Sequence, residues 1–587
     1  GGGKLSGGSG APGPTVTITS TTDQKLEKLR RKEGRKVGRR IAQGQGEPLL
    51  EWLAASGVGF AAICEGDWER AAADEKAAAA SSEEDLWAGL RGLGSGAGGG
   101  RRALPAGTVR KVHKTYEEVT VPAATRAPVG ANERFVAVDE LDEWAQLAFD
   151  GMTALNRIQS RIYDAAYNSH ENLLVCAPTG AGKTNIAMLA VLHEIGQHLE
   201  NGVLQNREDF KIVYVAPMKA LAAEVTGAFA RRLDPLGISV RELTGDTQLS
   251  KRELEQTQMI VTTPEKWDVI TRKGGEVSVA SSLRLLIIDE VHLLNDERGP
   301  VIETLVARTH RQVETSQSMI RIVGLSATLP NPQDVARFLG VNDAGLFVFD
   351  QSFRPIPLSQ VFVGVTETNA MKRQMLMGEI AYDKCVAALR TGKQAMVFVH
   401  SRKDTVKTAR QLAEFAATAD GGVELFGCAE SHQDFKRFAT ELNRSRNPEL
   451  KELAAKGFGC HNAGMLRSDR TLAERLFSAG VIKVLVCTAT LAWGVNLPAH
   501  TVVIKGTTLY DPSKGGFRDL GLLDVQQIFG RAGRPGFDTS GEGVIVTEHK
   551  KLAHYLSLLT HSTPIESQFI SNLADNLNAE VVLGTVT

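Results

Sequence analysis

Five apolar residues, Leu173 to Ala177, run directly into Pro178-Thr179-Gly180-Ala181-Gly182-Lys183-Thr184, with a helical pattern behind them. A strand that empties into a glycine-rich turn and then a helix is a phosphate cradle. Glycines let the backbone wrap close to phosphate oxygens, and the N–H groups at the helix start favour an anion. Lys183 is placed to reach β- and γ-phosphates and the Thr184 hydroxyl to bind Mg²⁺, with Thr179, Gly180, Ala181 and Gly182 lining the same loop. A strand–loop–helix of this kind belongs in a parallel sheet whose ligands meet the carboxyl ends of the strands.

The same texture recurs along the chain. Ile212–Ala216, Met259–Thr262, Leu285–Ile288 and Ile322–Leu325 are short apolar runs that end in polar or Gly/Pro loops. After Phe353-Arg354-Pro355 the pattern starts again with Ala395–Val399, Lys483–Cys487, Val502–Lys505 and Gly543–Val546. The reading is an α/β protein with two tandem parallel-sheet domains, 109–350 (with an N-terminal lead-in) and 351–555, and a further domain starting at 556–587. Residues 1–108 differ. They hold Gly/Ser/Pro, a basic run from Lys25 to Arg40, an Ala-rich acidic stretch and Gly94–Gly100, and they read as a partly disordered extension for protein partners or RNA. The chain opens on Gly rather than Met and stops soon after a domain start, which reads as a piece of a longer protein.

A net charge of -1 means that any nucleic-acid site must be a local groove rather than a basic field over the whole chain. The six cysteines are scattered without metal-ligand spacing, which suits a reducing compartment. No apolar run is long enough to span a bilayer, so no membrane partner is expected.

Asp289-Glu290-Val291-His292 follows Leu285–Ile288. A buried strand delivering two carboxylates at its tip suits a second Mg²⁺-site residue, Asp289, and a water-polarising base, Glu290. His292 would couple the nucleotide to Ser326-Ala327-Thr328 at the end of the next strand. In the second domain Gln526-Gln527-Ile528-Phe529-Gly530-Arg531-Ala532-Gly533-Arg534 puts two arginines three apart on one helical face. Arg534 is expected as an arginine finger, Arg531 as a γ-phosphate partner, and Gln527 as a member of the same catalytic set. Ahead of the glycine loop, Asn156 and Gln159 in Leu155–Ser160 offer amides that can pair with an adenine edge, which favours ATP.

Nucleic-acid contacts are expected from loops at the remaining strand ends: Pro217 and Lys219, Thr244 and Gly245, and Thr263 and Pro264 in the first domain. In the second domain they are Ser401 and Arg402, Asn462 and Gly464, and Thr488. Such hydroxyls, glycines and amides grip phosphates without reading sequence.

In this order the motifs resemble those of superfamily 2 DExH helicases of the superkiller-like group, over residues 155 to 536. The resemblance implies two RecA-like P-loop domains, with Gly494 added to the nucleotide contacts. Lys505–Asp511 resembles the start of the group's strand-separating hairpin, and Pro564–Glu580 the opening of its winged-helix domain. Tyr116–Val119, Asp142–Phe149 and Leu573–Glu580 are most similar to the first cassette of helicases from activating signal cointegrator and ribosome-quality-control trigger complexes. The spliceosomal unwindases are near cousins. His461-Asn462 stands where the group often has two histidines.

The resemblance implies 3′-to-5′ movement on single-stranded RNA, or DNA. It also implies dissociation of stalled or collided ribosomes together with other subunits of a quality-control complex, in the cytoplasm and secondarily the nucleus. Two other classes compete. A DNA-unwinding repair helicase would use the same motor. A non-catalytic scaffold would show decay among Lys183, Thr184, Asp289, Glu290, Arg531 and Arg534, and all six are in place.

Overall fold

The computed structural model describes residues 104–582 apart from 131–132, 201–202, 206, 273–280, 297, 428–432, 490, 492–496, 512–514, 535–536 and 558–563. The basic run Lys25–Arg40, nearly all of the N-terminal extension, and Gly494 lie outside the described residues.

The strands in chain order are β1 (Val109–Val112), β2 (Tyr116–Val121), β3 (Leu173–Cys176), β4 (Leu199–Glu200), β5 (Val203–Leu204), β6 (Lys211–Val215), β7 (Val240–Leu243), β8 (Met259–Thr262), β9 (Leu283–Ile288), β10 (Arg321–Ser326), β11 (Leu346–Val348), β12 (Leu358–Val365), β13 (Ala395–Val399), β14 (Phe458–His461), β15 (Val484–Thr488), β16 (Thr501–Lys505), β17 (Thr508–Asp511), β18 (Gly516–Asp519) and β19 (Gly541–Glu548). Five helices bear on the site: α1 (Arg157–Tyr167), α2 (Lys183–Gly196), α3 (Gly299–Ser316), α4 (Leu522–Phe529) and α5 (Leu573–Val582). Among the described residues no helix is long and apolar enough to cross a membrane.

The first sheet has the order β11-β3-β10-β9-β6-β8-β7, and every pairing in it is parallel. β3, β6, β8 and β10 are buried along their whole length, as a sheet covered on both faces requires. Successive residues alternate between two cores. Leu173, Val175, Tyr214 and Ile287 join one, and Leu174, Cys176, Val213 and Ile288 join the other. Polar chemistry is thereby confined to the strand ends. Because β3, β10, β9 and β6 are neighbours, the glycine loop, Ser326-Ala327-Thr328, Asp289-Glu290 and Pro217 emerge side by side.

The second sheet runs β1-β2-β12-β19-β16-β13-β15-β14, parallel from β12 onward. The two sheets are those of two RecA-like domains. One boundary differs from the sequence reading, which counted everything from 109 with the first domain. β1 and β2 belong to the second sheet, where β2 lies antiparallel to β12 from Tyr116↔Val365 to Val121↔Gln360. Without them β12 would present an open edge. Glu117, Val119 and Val121 face inward, and the Glu117 carboxylate is held by Arg110 and by His549 Nε2 at 3.0 Å.

The C-terminal segment crosses back to the first domain. Asn331 pairs with the backbone of Ile565 (Nδ2→O 3.0 Å, N→Oδ1 2.8 Å), and Gln568 N donates to Glu303 on α3 at 2.9 Å. α5 is held there by Arg308 to Glu580 and by Arg272 Nη2 to Asn576 Oδ1 at 3.2 Å.

Val119 is fully buried between β1 and β12. Val119→Asp places an unpaired carboxylate there and should destabilise the second domain by roughly 3 kcal/mol or more. Thermal unfolding reads this directly, and an unchanged midpoint would show that the lead-in strands do not support the second sheet.

Candidate nucleotide site and nucleic-acid surface

Gly180 and Gly182 hold φ of 82° and 85°, backbone that L side chains rarely adopt. A Cβ on Gly182 would lie 2.5 Å from Gln159 Nε2 and 3.0 Å from Asn156 Nδ2. Gly182 is also the N-cap of α2, with no side-chain cap, so the first N–H groups of the helix point into the loop. Lys183 Nζ donates to Ala177 O at 3.0 Å, and Thr184 beside it is exposed.

Asn156 and Gln159 act differently from the expectation of an adenine contact. Asn156 caps α1 and donates from Nδ2 to Ala181 O at 2.9 Å. Gln159 is 1% exposed; its Oε1 accepts from Asn156 N at 2.9 Å and its Nε2 donates to Gly182 O at 3.0 Å. Both ends of that amide are bonded to backbone, so the pair braces the glycine loop.

β9 delivers Asp289 and Glu290 next to this loop. Asp289 Oδ2 accepts from Tyr214 Oη at 2.7 Å and Oδ1 from Glu290 N at 3.0 Å. Burial, then the charge of Glu290, pushes the Asp289 carboxyl up to about 6; the Tyr214 hydrogen bond and Lys183 oppose that rise. Glu290 sits at φ 54°, ψ 51°, a left-handed conformation that costs a non-glycine residue about 1–3 kcal/mol and is tolerated where function fixes it. Its Oε2 is buried without a hydrogen-bond partner among the described residues. His292 Nδ1 lies 3.3 Å from that oxygen, but the pair is no salt bridge. Burial, then the charge of Lys183, pulls His292 down to about 4, so the ring is neutral at pH 7, and Nδ1 accepts from Ala327 N at 3.4 Å. Together with Ser326 Oγ at 3.5 Å, this joins His292 to the next motif.

The second domain approaches the same place. A Cβ on Gly530 would lie 2.4 Å from Thr179 Cγ2, so only glycine allows this contact with the loop. Pro178, Thr179, Thr328, Gln351, Gln526 and Gly530 line the cleft. Gln527 is buried, with Nε2 unpartnered among the described residues. α4 ends at Phe529, so Arg531 and Arg534 lie in the turn after it and not on one helical face. The two arginines also differ in their surroundings. Arg531 is within electrostatic reach of Glu224 and Glu290, whose charges oppose the effect of its burial. Arg534 is turned away: Nε donates to Asp538 Oδ2 at 3.0 Å and Nη1 to Gln394 Oε1 at 2.8 Å. Burial would raise Asp538, yet hydrogen bonds from Arg534 and Lys393 hold it down to about 2.

The nucleic-acid candidates separate by burial. Lys219, exposed, pairs with Asp246 at 2.6 Å beside Gly245. Ser401 and Arg402 are exposed; Gly464 packs against Arg402, and Asn462 bonds Thr405 at 2.9 Å. Pro217, Thr244, Thr263, Pro264, Asn462 and Thr488 are buried, so they shape their loops and offer a ligand backbone atoms rather than side chains. Sequence reasoning passed over Tyr214, hidden inside a strand. It also read Arg354 only as part of a boundary, although its guanidinium reaches three backbone carbonyls of the arginine-bearing turn.

Donors at a helix start, orphaned polar atoms of Glu290 and Gln527, and glycine-only backbone fit a nucleoside triphosphate. Thr184 and Asp289 are the oxygen-bearing side chains that would hold a Mg²⁺ bound with it.

The DEAD/DEAH box helicase family profile matches residues 156–335, and the helicase conserved C-terminal domain profile matches residues 435–536. The chain is 59% identical over 577 residues to the DExH-box ATP-dependent RNA helicase DExH14 of Arabidopsis thaliana, covering 98% of this chain and 26% of that protein. It is 60% identical over 486 residues to the activating signal cointegrator 1 complex subunit 3 of Danio rerio, covering 82% and 32%. It is 56% identical over 488 residues to the U5 small nuclear ribonucleoprotein 200 kDa helicase of Drosophila melanogaster, covering 83% and 23%. The chain thus spans about a quarter to a third of these curated relatives. The DUF1998 helicase MrfA, solved bound to DNA, shares the fold with TM-score 0.53 and 20% identity, over 79% of this chain and 56% of that one.

Asp538 lies below its ordinary value, so its contribution is present above pH 4 and is lost as pH falls toward about 2. Asp538→Asn should cost about 2 kcal/mol at neutral pH. Urea unfolding of both proteins should show a constant gap down to about pH 5 that narrows below about pH 4. A gap that does not change with pH would assign the loss to packing.

Proposed function

We propose that this chain, which belongs to the DEAD/DEAH box helicase family, is an ATP-driven motor that moves along single-stranded RNA. The observation that carries this reading is the composite site. Gly530 of the second domain meets Thr179 of the glycine loop, and Arg531 lies within electrostatic reach of Glu290, itself beside Asp289 and Lys183, so nucleotide chemistry and domain contact occupy one place.

In this reading the loop amides and Lys183 hold the β- and γ-phosphates, while Thr184 and Asp289 hold Mg²⁺. When bound, the ion offsets the charge that develops on the phosphates. Glu290 Oε2, buried and without a donor among the described residues, orients the attacking water and takes its proton. Neutral His292 keeps Nδ1 on Ala327 and does not compete for that proton. Arg531 stabilises the transferring phosphoryl group, a contribution of about 10³–10⁵ in rate for such arginines. Lys219, Ser401 and Arg402 supply phosphate contacts at the strand ends of the two domains.

The RNA assignment is supported by the RNA helicase similar to nearly the whole chain. We extend it to 3′-to-5′ movement that dissociates stalled or collided ribosomes in the cytoplasm, with the remaining subunits of a quality-control complex meeting the N-terminal extension. The support for that extension is the likeness of Asp142–Phe149 and Leu573–Glu580 to helicases of such complexes.

Steady-state ATPase rates without nucleic acid, with single-stranded RNA and with single-stranded DNA test the reading, with Lys183→Ala as the inactive control. Stimulation by RNA over DNA is expected; preference for DNA would transfer the motor to repair. Glu290→Gln should keep nucleotide affinity and lower turnover by about 10²-fold or more, within the range for a lost general base. Turnover close to that of the unaltered chain would remove Glu290 from the role of base.

A further inference from the structure

Arg354 lies in the segment that joins the two domains and is 6% exposed. Burial lowers its pKa to about 10, and no carboxylate contributes to that shift. Instead its Nη2 donates to the carbonyl oxygens of Phe529 at 3.3 Å, Gly530 at 3.2 Å and Ala532 at 2.8 Å. Among the described residues these partners are backbone carbonyls, and a buried cation needs such partners to offset its desolvation. α4 ends at Phe529, whose carbonyl also accepts from Ala532 N at 3.0 Å, while Gly530 and Ala532 belong to the turn beyond it, so the guanidinium ties the helix end to that turn near the negative end of the helix dipole.

The turn held by Arg354 is the one that carries Arg531. Its other sides are fixed as tightly. Gly533, at φ 89°, approaches the linker so closely that a Cβ would lie 2.4 Å from Ile356 Cγ2. Ala499 N donates to Arg531 O at 3.0 Å, and Gly533 N donates to Ala499 O at 2.7 Å. Gly530 meets Thr179 of the glycine loop. The residue before Arg354 touches the other half of the site. The Phe353 ring lies 4.6 Å from the Arg157 guanidinium, and Arg157 stands between Asn156 and Gln159, whose amides brace that loop.

We propose that Arg354 is a positioning residue for catalysis: it fixes the turn Gly530–Arg534 so that Arg531 faces the site of phosphoryl transfer. This rests on the motor reading above. An arginine that served only to stabilise the fold would change melting and leave the catalytic effect of Arg531 intact. A positioning arginine would make the two residues act as a unit.

The test uses the full chain with single-stranded RNA and four variants: Arg354→Lys, Arg354→Met, Arg531→Ala and the double Arg354→Met/Arg531→Ala. Turnover number, KM for ATP and thermal midpoint are measured for each. Arg531→Ala is expected to lower kcat by about 10³-fold, as for a lost arginine finger. Arg354→Met should lower kcat by about 10–100-fold with KM within about threefold, the pattern of an interaction made only in the transition state. Arg354→Lys, which keeps a donor, should fall between Met and the unaltered chain.

The double variant should be no slower than Arg531→Ala, because a turn without its arginine has nothing left to orient. Multiplicative losses in the double variant, a loss confined to KM, or unaltered kcat in both single Arg354 variants would overturn the proposal. If Arg354→Met does not fold, Arg354→Lys decides: lowered kcat at an unchanged midpoint supports positioning, and unchanged kcat overturns it. Full activity in Arg531→Ala would defeat this inference while leaving the motor reading to the Lys183→Ala and Glu290→Gln results. No hydrolysis by the unaltered chain would defeat both.

Discussion

Burial of the first sheet on both faces is the constraint on which the rest depends. β3, β6, β8 and β10 have no exposed residue, so those strands offer solvent nothing but their ends. Four adjacent ends carry the glycine loop, the Ser-Ala-Thr turn, the acidic pair and Pro217. A site assembled in this way is rigid at its base, since each polar group hangs from an apolar strand packed into one of two cores.

The acidic pair shows how the sheet imposes unequal environments on neighbours. Asp289 is raised by burial and by Glu290, and the one tyrosine hydroxyl at hand comes from β6, the strand next to β9. Glu290 is bent into left-handed backbone, and one of its carboxylate oxygens is buried without a donor among the described residues. The strain at Glu290 and the desolvation at Asp289 are both costs of stability that a merely structural strand end would not retain.

Features fixed by local chemistry were legible in the sequence. The glycine loop needs positive φ at Gly180 and Gly182, and glycine with a following lysine declares that without knowledge of the fold. The apolar run before Asp289 likewise declared a buried strand. What could not be read depends on distant partners. Arg531 and Arg534 look equivalent in sequence; Asp538 and Gln394, the latter 140 residues away, turn one of them aside. Gln159 has the right amide for adenine, but its partner Gly182 lies 23 residues on. β1 and β2 precede the first domain, so adjacency placed them there. Their antiparallel partner β12 begins more than 200 residues later, and no local pattern announces it.

That misplaced pair of strands alters the mechanics of the joint. Two of the passages between the domains, one after β2 and one before β12, run side by side, and the C-terminal segment adds a further crossing. Ala127 N donates to Ser352 O at 3.4 Å, and Arg126 reaches Pro355 O. A body hung from a single thread can swivel freely, whereas one hung from two adjacent threads bends about the line through them and resists twisting. The zipper between β2 and β12 is therefore a second tether. It keeps each domain near the other at high effective concentration, as a closed loop of chain does and a string does not.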